Sequence, residues 1–126
     1  MSEARNRAVV TRLWRLVEAG DYAAIGALLH DEFVCDWPQS NERIRGRDNY
    51  IAVNAAYPGQ WRVSIEELIA TGERVVTDVI MEWERQVERV IAFYDLRDGL
   101  IVKETTFFAR PYDAASWRAR WVERIL

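Results

Sequence analysis

Apolar residues return every three or four positions near the start of the chain. Val9, Val10, Leu13, Trp14, Leu16 and Val17 fall together on a helical wheel, with Arg5, Arg7, Arg12, Arg15 and Glu18 mostly elsewhere. This spacing predicts a helix over 4–19. Gly20 ends it, and Asp21 can cap a second, short helix running through Leu29. Phe33 to Trp37 then reads as a short strand closed by Pro38, with a polar loop from Gln39 to Arg45. Gly46-Arg47-Asp48 opens a third helix that runs to Ala56, where Tyr57-Pro58-Gly59 breaks it.

From Trp61 the period changes to two. Trp61, Val63 and Ile65 alternate with Arg62, Ser64 and Glu66 before the apolar phase slips across Glu66-Glu67 to Leu68, the mark of a β-bulge. After a turn at Thr71-Gly72-Glu73, the residues Val75, Thr77, Val79, Met81 and Trp83 share one face of the next strand. A third long strand covers 87–96, Asp98-Gly99 makes a tight hairpin, and the last strand covers 100–110. Asp113 caps a final helix whose apolar stripe is Trp117, Trp121, Val122 and Ile125.

Helices followed by long hairpins make an α+β domain, and 126 residues make one domain, residues 1–126. The last two long strands are apolar on both faces, so the sheet must be covered twice. The expected second cover is another copy of the chain, a homodimer through Val76, Ile80, Ile91, Phe93, Ile101 and Phe107.

A net charge of −3 without any basic run argues against a nucleic-acid partner. Cys35 is the single cysteine, so no internal disulfide can form, and one Cys with one His leaves poor material for a metal site. The glycines are isolated and cradle no phosphate. No zinc, calcium, nicotinamide or flavin is therefore expected. No apolar run spans a membrane and no signal peptide is visible, so the expected place is the cytoplasm, with no membrane partner. His30 is expected at the end of the second helix, where it favours the dipole.

The element order and four local phrases resemble the SnoaL-like branch of the nuclear transport factor 2-like superfamily. The phrases are Ala19-Gly20-Asp21, Tyr57-Pro58-Gly59-Gln60-Trp61, Asp98-Gly99-Leu100-Ile101 and Trp117-Arg118-Ala119-Arg120-Trp121-Val122-Glu123. The resemblance covers nearly the whole chain. It implies a cone-shaped curved antiparallel sheet wrapped on N-terminal helices, with a pocket on the concave side and a dimer through the convex side. It does not imply one activity, since cyclases, isomerases, epoxide hydrolases and non-catalytic modules share the fold. The Asp–Arg–Asp set of the epoxide hydrolases would fall on Val79, Met81 and Thr106. The tyrosine and two aspartates of the steroid isomerases would fall on Leu13, Trp37 and Ala92. Neither signature is present.

The same resemblance points Val102, Glu104, Thr106 and Phe108 into the cone, with Ile101, Lys103, Thr105 and Phe107 outward. Glu104 among Val79, Met81, Trp83 and Phe108 would be desolvated, its pKa raised, and suited to general acid–base work. Held by an arginine or a tryptophan N–H, it would instead fix the pocket's shape. Tyr94 can donate to a ligand oxygen or tie to backbone, and Asp36 lies at the pocket mouth or on the surface. Trp14, Trp37 and Trp61 line the cavity or pack the core. Two functions stay open: a pocket that binds an apolar small molecule without turnover, and a cofactor-independent cyclase, isomerase or hydratase using Glu104.

Overall fold

The computed structural model describes residues 2–126. Helix α1, Glu3–Ala19, starts where the Ser2 hydroxyl accepts the Arg5 N–H. It stops at Gly20, which takes the left-handed conformation and returns its N–H to Leu16 and Val17. Asp21 accepts the Ala24 N–H and caps α2, Tyr22–Ile25, a single turn followed by a 3-10 turn at Gly26–Leu28.

Strand β1, Leu29–Trp37, begins four residues before the expected strand. His30 therefore sits in a strand rather than at a helix end, and its Nδ1 accepts the Glu32 N–H. The polar stretch after Pro38 also differs from expectation. It turns back as β2, Glu42–Arg45, pairing antiparallel with β1 while burying only Ile44. One apolar residue in four is too faint a period to read from sequence. Helix α3, Arg47–Ala56, follows, its Arg47 guanidinium bonded to the carbonyls of Gly26 and Leu29.

The remaining strands are β3, Arg62–Thr71, β4, Arg74–Trp83, β5, Gln86–Arg97, and β6, Leu100–Ala109. One curved, open sheet results, in the order β2-β1-β6-β5-β4-β3, antiparallel except where β1 joins β6 in parallel. The bulge expected in β3 is present between Ile65 and Glu67. Asp98 and Gly99 both have positive φ, as a two-residue hairpin turn needs.

A second bulge overturns part of the inward–outward assignment of β6. Leu96 pairs Ile101 and Asp95 pairs Lys103, so Val102 is the extra residue. Ile101, expected outside, is fully buried in the core, and Val102, expected inside, lies only half-buried. Past the bulge the alternation resumes with Glu104 and Thr106 inward.

Helix α1 lies on the concave face, burying Val10, Leu13, Trp14 and Leu16 against Val75, Val79 and their neighbours. Its polar side serves edge strand β3. Arg7 donates to the Leu68 carbonyl and Arg15 to that of Val63, while Glu18 accepts the Val63 N–H. These contacts blunt an edge that would otherwise offer free backbone groups.

The expected C-terminal helix is absent. A 3-10 turn at Ser116–Trp121 buries nothing, and its N-cap is Ala115, with no side-chain cap, rather than Asp113. Its apolar stripe meets no surface of its own domain, and without packing a short segment gains too little to hold an α-helix.

Gly59 has φ +116°, and a Cβ there would stand 2.8 Å from ring atoms of Trp61 and Trp83. Gly72, with φ +56°, has open space around it. Gly59→Ala should therefore destabilise by roughly 2–4 kcal/mol, conformational strain plus overpacking. Gly72→Ala should cost only about 1 kcal/mol. Urea denaturation midpoints compare the two, and equal losses would count against the close approach at Gly59.

Candidate functional site

Strand alternation brings a row of inward side chains into register across the sheet. Val75, Tyr94, Glu104 and Cys35 are successive partners on β4, β5, β6 and β1. Above this row, between the sheet and helices α1 and α3, lies a cavity of about 990 Å³. Leu13 and Trp14 enter from α1, Tyr50 and Val53 from α3, and Trp37 and Met81 from the sheet. Such a volume accommodates a drug-sized molecule.

Glu104 lies on the cavity wall and is 5% exposed. The Tyr50 hydroxyl donates to its Oε1 at 2.7 Å and the Thr106 hydroxyl to its Oε2, while the Cys35 thiol lies in contact. No arginine or lysine among the described residues pairs with it. Burial raises its pKa, outweighing the hydrogen bonds, which favour the anion. The Tyr50 hydroxyl and the Cys35 thiol are pushed up too, first by burial and then by Glu104.

The cavity mouth is built differently. Glu88, its side chain 6% exposed, accepts from Arg110 Nε at 2.9 Å and Nη2 at 2.7 Å, and from the Tyr57 hydroxyl at 3.0 Å. Tyr57 stacks on Trp61 at 5.7 Å. Gln39 accepts the Phe108 N–H, joining the β1–β2 turn to β6.

Of the residues expected at the site, Trp14, Trp37, Met81, Glu104, Thr106 and Phe108 line the cavity. Four stand off its wall. Val79 and Tyr94 are wholly buried behind it, and the Tyr94 hydroxyl lies near Thr77 and Trp14 without a well-formed hydrogen bond. Trp83 packs on Trp61, away from the cavity, as Trp61 itself is. Asp36 points to the opposite face of β1 from Cys35, where Arg43 grips it through two hydrogen bonds and Lys103 lies 3.7 Å away. The Arg43 contact holds its pKa low.

Tyr50 was not among the expected site residues. Its signal was the spacing of Tyr50, Val53 and Asn54 along α3, a helical stripe that lines the cavity and is continued by Tyr57 just past the helix end. Among the described residues no group of three His, Cys, Asp or Glu side chains could hold a metal ion, and no helix is long and apolar enough to cross a membrane.

The profile of the SnoaL-like domain family matches residues 10–104. Among solved structures, a protein from Kribbella flavida DSM 17836 assigned as a ketosteroid isomerase is 27% identical, with a TM-score of 0.90 over 98% of this chain and 92% of that one. An NTF-2 like protein of unknown function from Burkholderia xenovorans LB400 is 30% identical, with a TM-score of 0.84 over 98% and 97%. A protein from Jannaschia sp. CCS1 assigned as a SnoaL-like polyketide cyclase shares the fold at 20% identity, TM-score 0.75, over 84% and 86%. No curated protein matches the chain.

Because the folded state raises the pKa of Glu104, native protein keeps a proton that the unfolded chain releases above the ordinary value of 4.5. Stability contributed by Glu104 is thus complete below that value and declines as pH rises towards the folded pKa. Glu104→Gln cannot ionise. The stability of wild type relative to this variant should therefore fall from about pH 4.5 upward, by at most about 1.4 kcal/mol per pH unit. Thermal unfolding of both proteins across pH 4–8 measures it; a pH-independent difference would contradict a raised pKa.

Proposed function

This chain belongs to the SnoaL-like domain family, and from that membership we propose a cofactor-independent acid–base catalyst acting on an apolar, carbonyl-bearing small molecule. The observation that carries the reading is Glu104, a buried carboxyl on the cavity wall with no cation paired to it among the described residues and with a second ionisable group, Tyr50, at 2.7 Å. A carboxyl whose pKa burial raises above its ordinary value is suited both to take and to return a proton.

The reaction class that fits is a proton shift beside a carbonyl. Ionised Glu104 removes a proton from one carbon of the ligand and returns the same proton to another, so the balance closes without a co-reactant. Tyr50 and Thr106 hold the carboxyl in place through both steps. The apolar walls keep water from quenching the intermediate. The 27% identical Kribbella protein, assigned as a ketosteroid isomerase, supports an isomerisation over a hydration. Leu13, Trp37 and Ala92 stand where the steroid isomerase signature would fall, so the proton carrier here would be Glu104 instead.

One observation favours the alternative, a pocket that binds an apolar ligand without turnover. Both oxygens of Glu104 are engaged by its own chain. The two readings part in one assay, isomerisation of an apolar β,γ-unsaturated ketone to its conjugated form, followed by ultraviolet absorbance. Wild type should turn over, and Glu104→Gln should fold, still bind Nile red in the cavity, and lose about 10²–10⁴-fold in rate. Equal rates in both proteins would exclude Glu104 as the proton carrier. Binding of the ketone by wild type without conversion would leave the non-catalytic reading.

The chain is further proposed to work as a homodimer through the outer sheet face, where Ile80, Ile91, Phe93 and Phe107 lie only half-buried in the single chain. Light scattering at micromolar concentration should give about twice the 14.7 kDa chain mass; a single-chain mass would refute the pairing.

A further inference from the structure

After Arg110 and Tyr112, which still line the cavity, the chain leaves its own domain. The last turn, Ser116–Trp121, contains no buried residue, and beyond it the backbone has no regular structure. Trp117 is 74% exposed, Trp121 70% and Ile125 99%. Arg118 lies over the Trp117 ring at 5.6 Å and Arg120 over the Trp121 ring at 4.9 Å. A soluble surface rarely leaves so much contiguous aromatic and aliphatic area in water.

The molecule has a second apolar surface that is only half-buried, the outer face of the sheet. At its centre Phe93 meets Phe107 edge to face at 6.2 Å, with Arg74 over the Phe93 ring at 5.2 Å. Both surfaces thus present aromatic rings with arginines laid over them, and neither covers the other within one chain. In a two-fold pair each chain can offer its tail to its partner's sheet, so that both surfaces are covered twice at once. The two structures matched over 98% of the chain include the tail in the matched span, whereas the Jannaschia structure matches 84%. A segment with no core of its own that still falls within the span shared by two relatives behaves as a built element and not as a frayed end.

We propose that residues 114–126 cross to a second copy of the chain and pack on the outer face of its sheet, with Trp117 and Trp121 as the anchors. The proposal rests on the pairing suggested above and adds the segment that makes it.

The test compares the full chain with a chain ending at residue 113 and with a full-length Trp117→Ala/Trp121→Ala variant. Each is followed by light scattering, acrylamide quenching and Nile red binding. The full chain is expected to be dimeric, with Trp117 and Trp121 protected from acrylamide. The shortened chain and the double variant should be monomeric at the same concentration while binding Nile red as before. If shortening impairs folding, the double variant alone gives the reading, since both side chains it removes are exposed in the single chain. A dimer that survives both changes, with the tail tryptophans open to acrylamide, overturns the tail contact and leaves the pairing standing. A monomeric full chain overturns both. A monomer that sediments with phosphatidylcholine–phosphatidylglycerol vesicles only when it carries the tail also overturns the proposal, by giving the tail a lipid surface instead.

Discussion

Glu104 faces the interior because β6 changes phase at Val102. With Ile101 buried, plain alternation along the strand would send Lys103 and Thr105 inward and Glu104 to the outer face. One unpaired residue reverses that. It lets the hairpin end of β6 fill the core with Ile101 while the middle of the strand brings a carboxyl to the cavity. The register of Glu104 with Tyr94 follows from this bulge, and its register with Cys35 needs in addition the shift in β1 between Leu29 and Val34.

The fold buries two carboxyls and treats them in opposite ways. Glu88 at the mouth keeps a cation, Arg110, with a tyrosine hydroxyl as second donor. Glu104 in the depth has only hydroxyl donors and a thiol beside it. A buried charge needs a counter-charge or must give way to its neutral form. The first solution fixes three chain segments around an opening. The second keeps a proton in reach of the cavity. Tyrosines from α3 and its C-terminal cap serve both, Tyr50 at the deep end and Tyr57 at the rim.

The sheet's exposed parts follow a related logic. Along β3 the open edge is met by arginine and glutamate side chains from α1, because free backbone groups there would invite another strand. On the outer face, ion pairs such as Asp78 with Arg89 and Asp36 with Arg43 surround an apolar centre that its own chain only half covers. Charged surroundings limit promiscuous association while leaving room for one matched surface.

The amino-acid sequence by itself determined the α+β class, the α1 helix with its stop at Gly20, the long hairpins and the β3 bulge. Each of these is a local matter of period, cap or turn chemistry, and each shows within a window of a few residues. The resemblance placed Glu104, Thr106, Phe108 and Trp37 on the cavity side. Only the tertiary structure decided what depends on residues distant in the chain. Tyr50 stands 54 positions from Glu104, and nothing near either residue announces the bond. β2 exists because β1 offers it an edge, and His30 is in a strand because β1 starts early to pair with β6. The tail's apolar stripe looked like a helix because periodicity records which residues could share a face. Whether that face meets a surface is decided by packing, and within this chain it meets none.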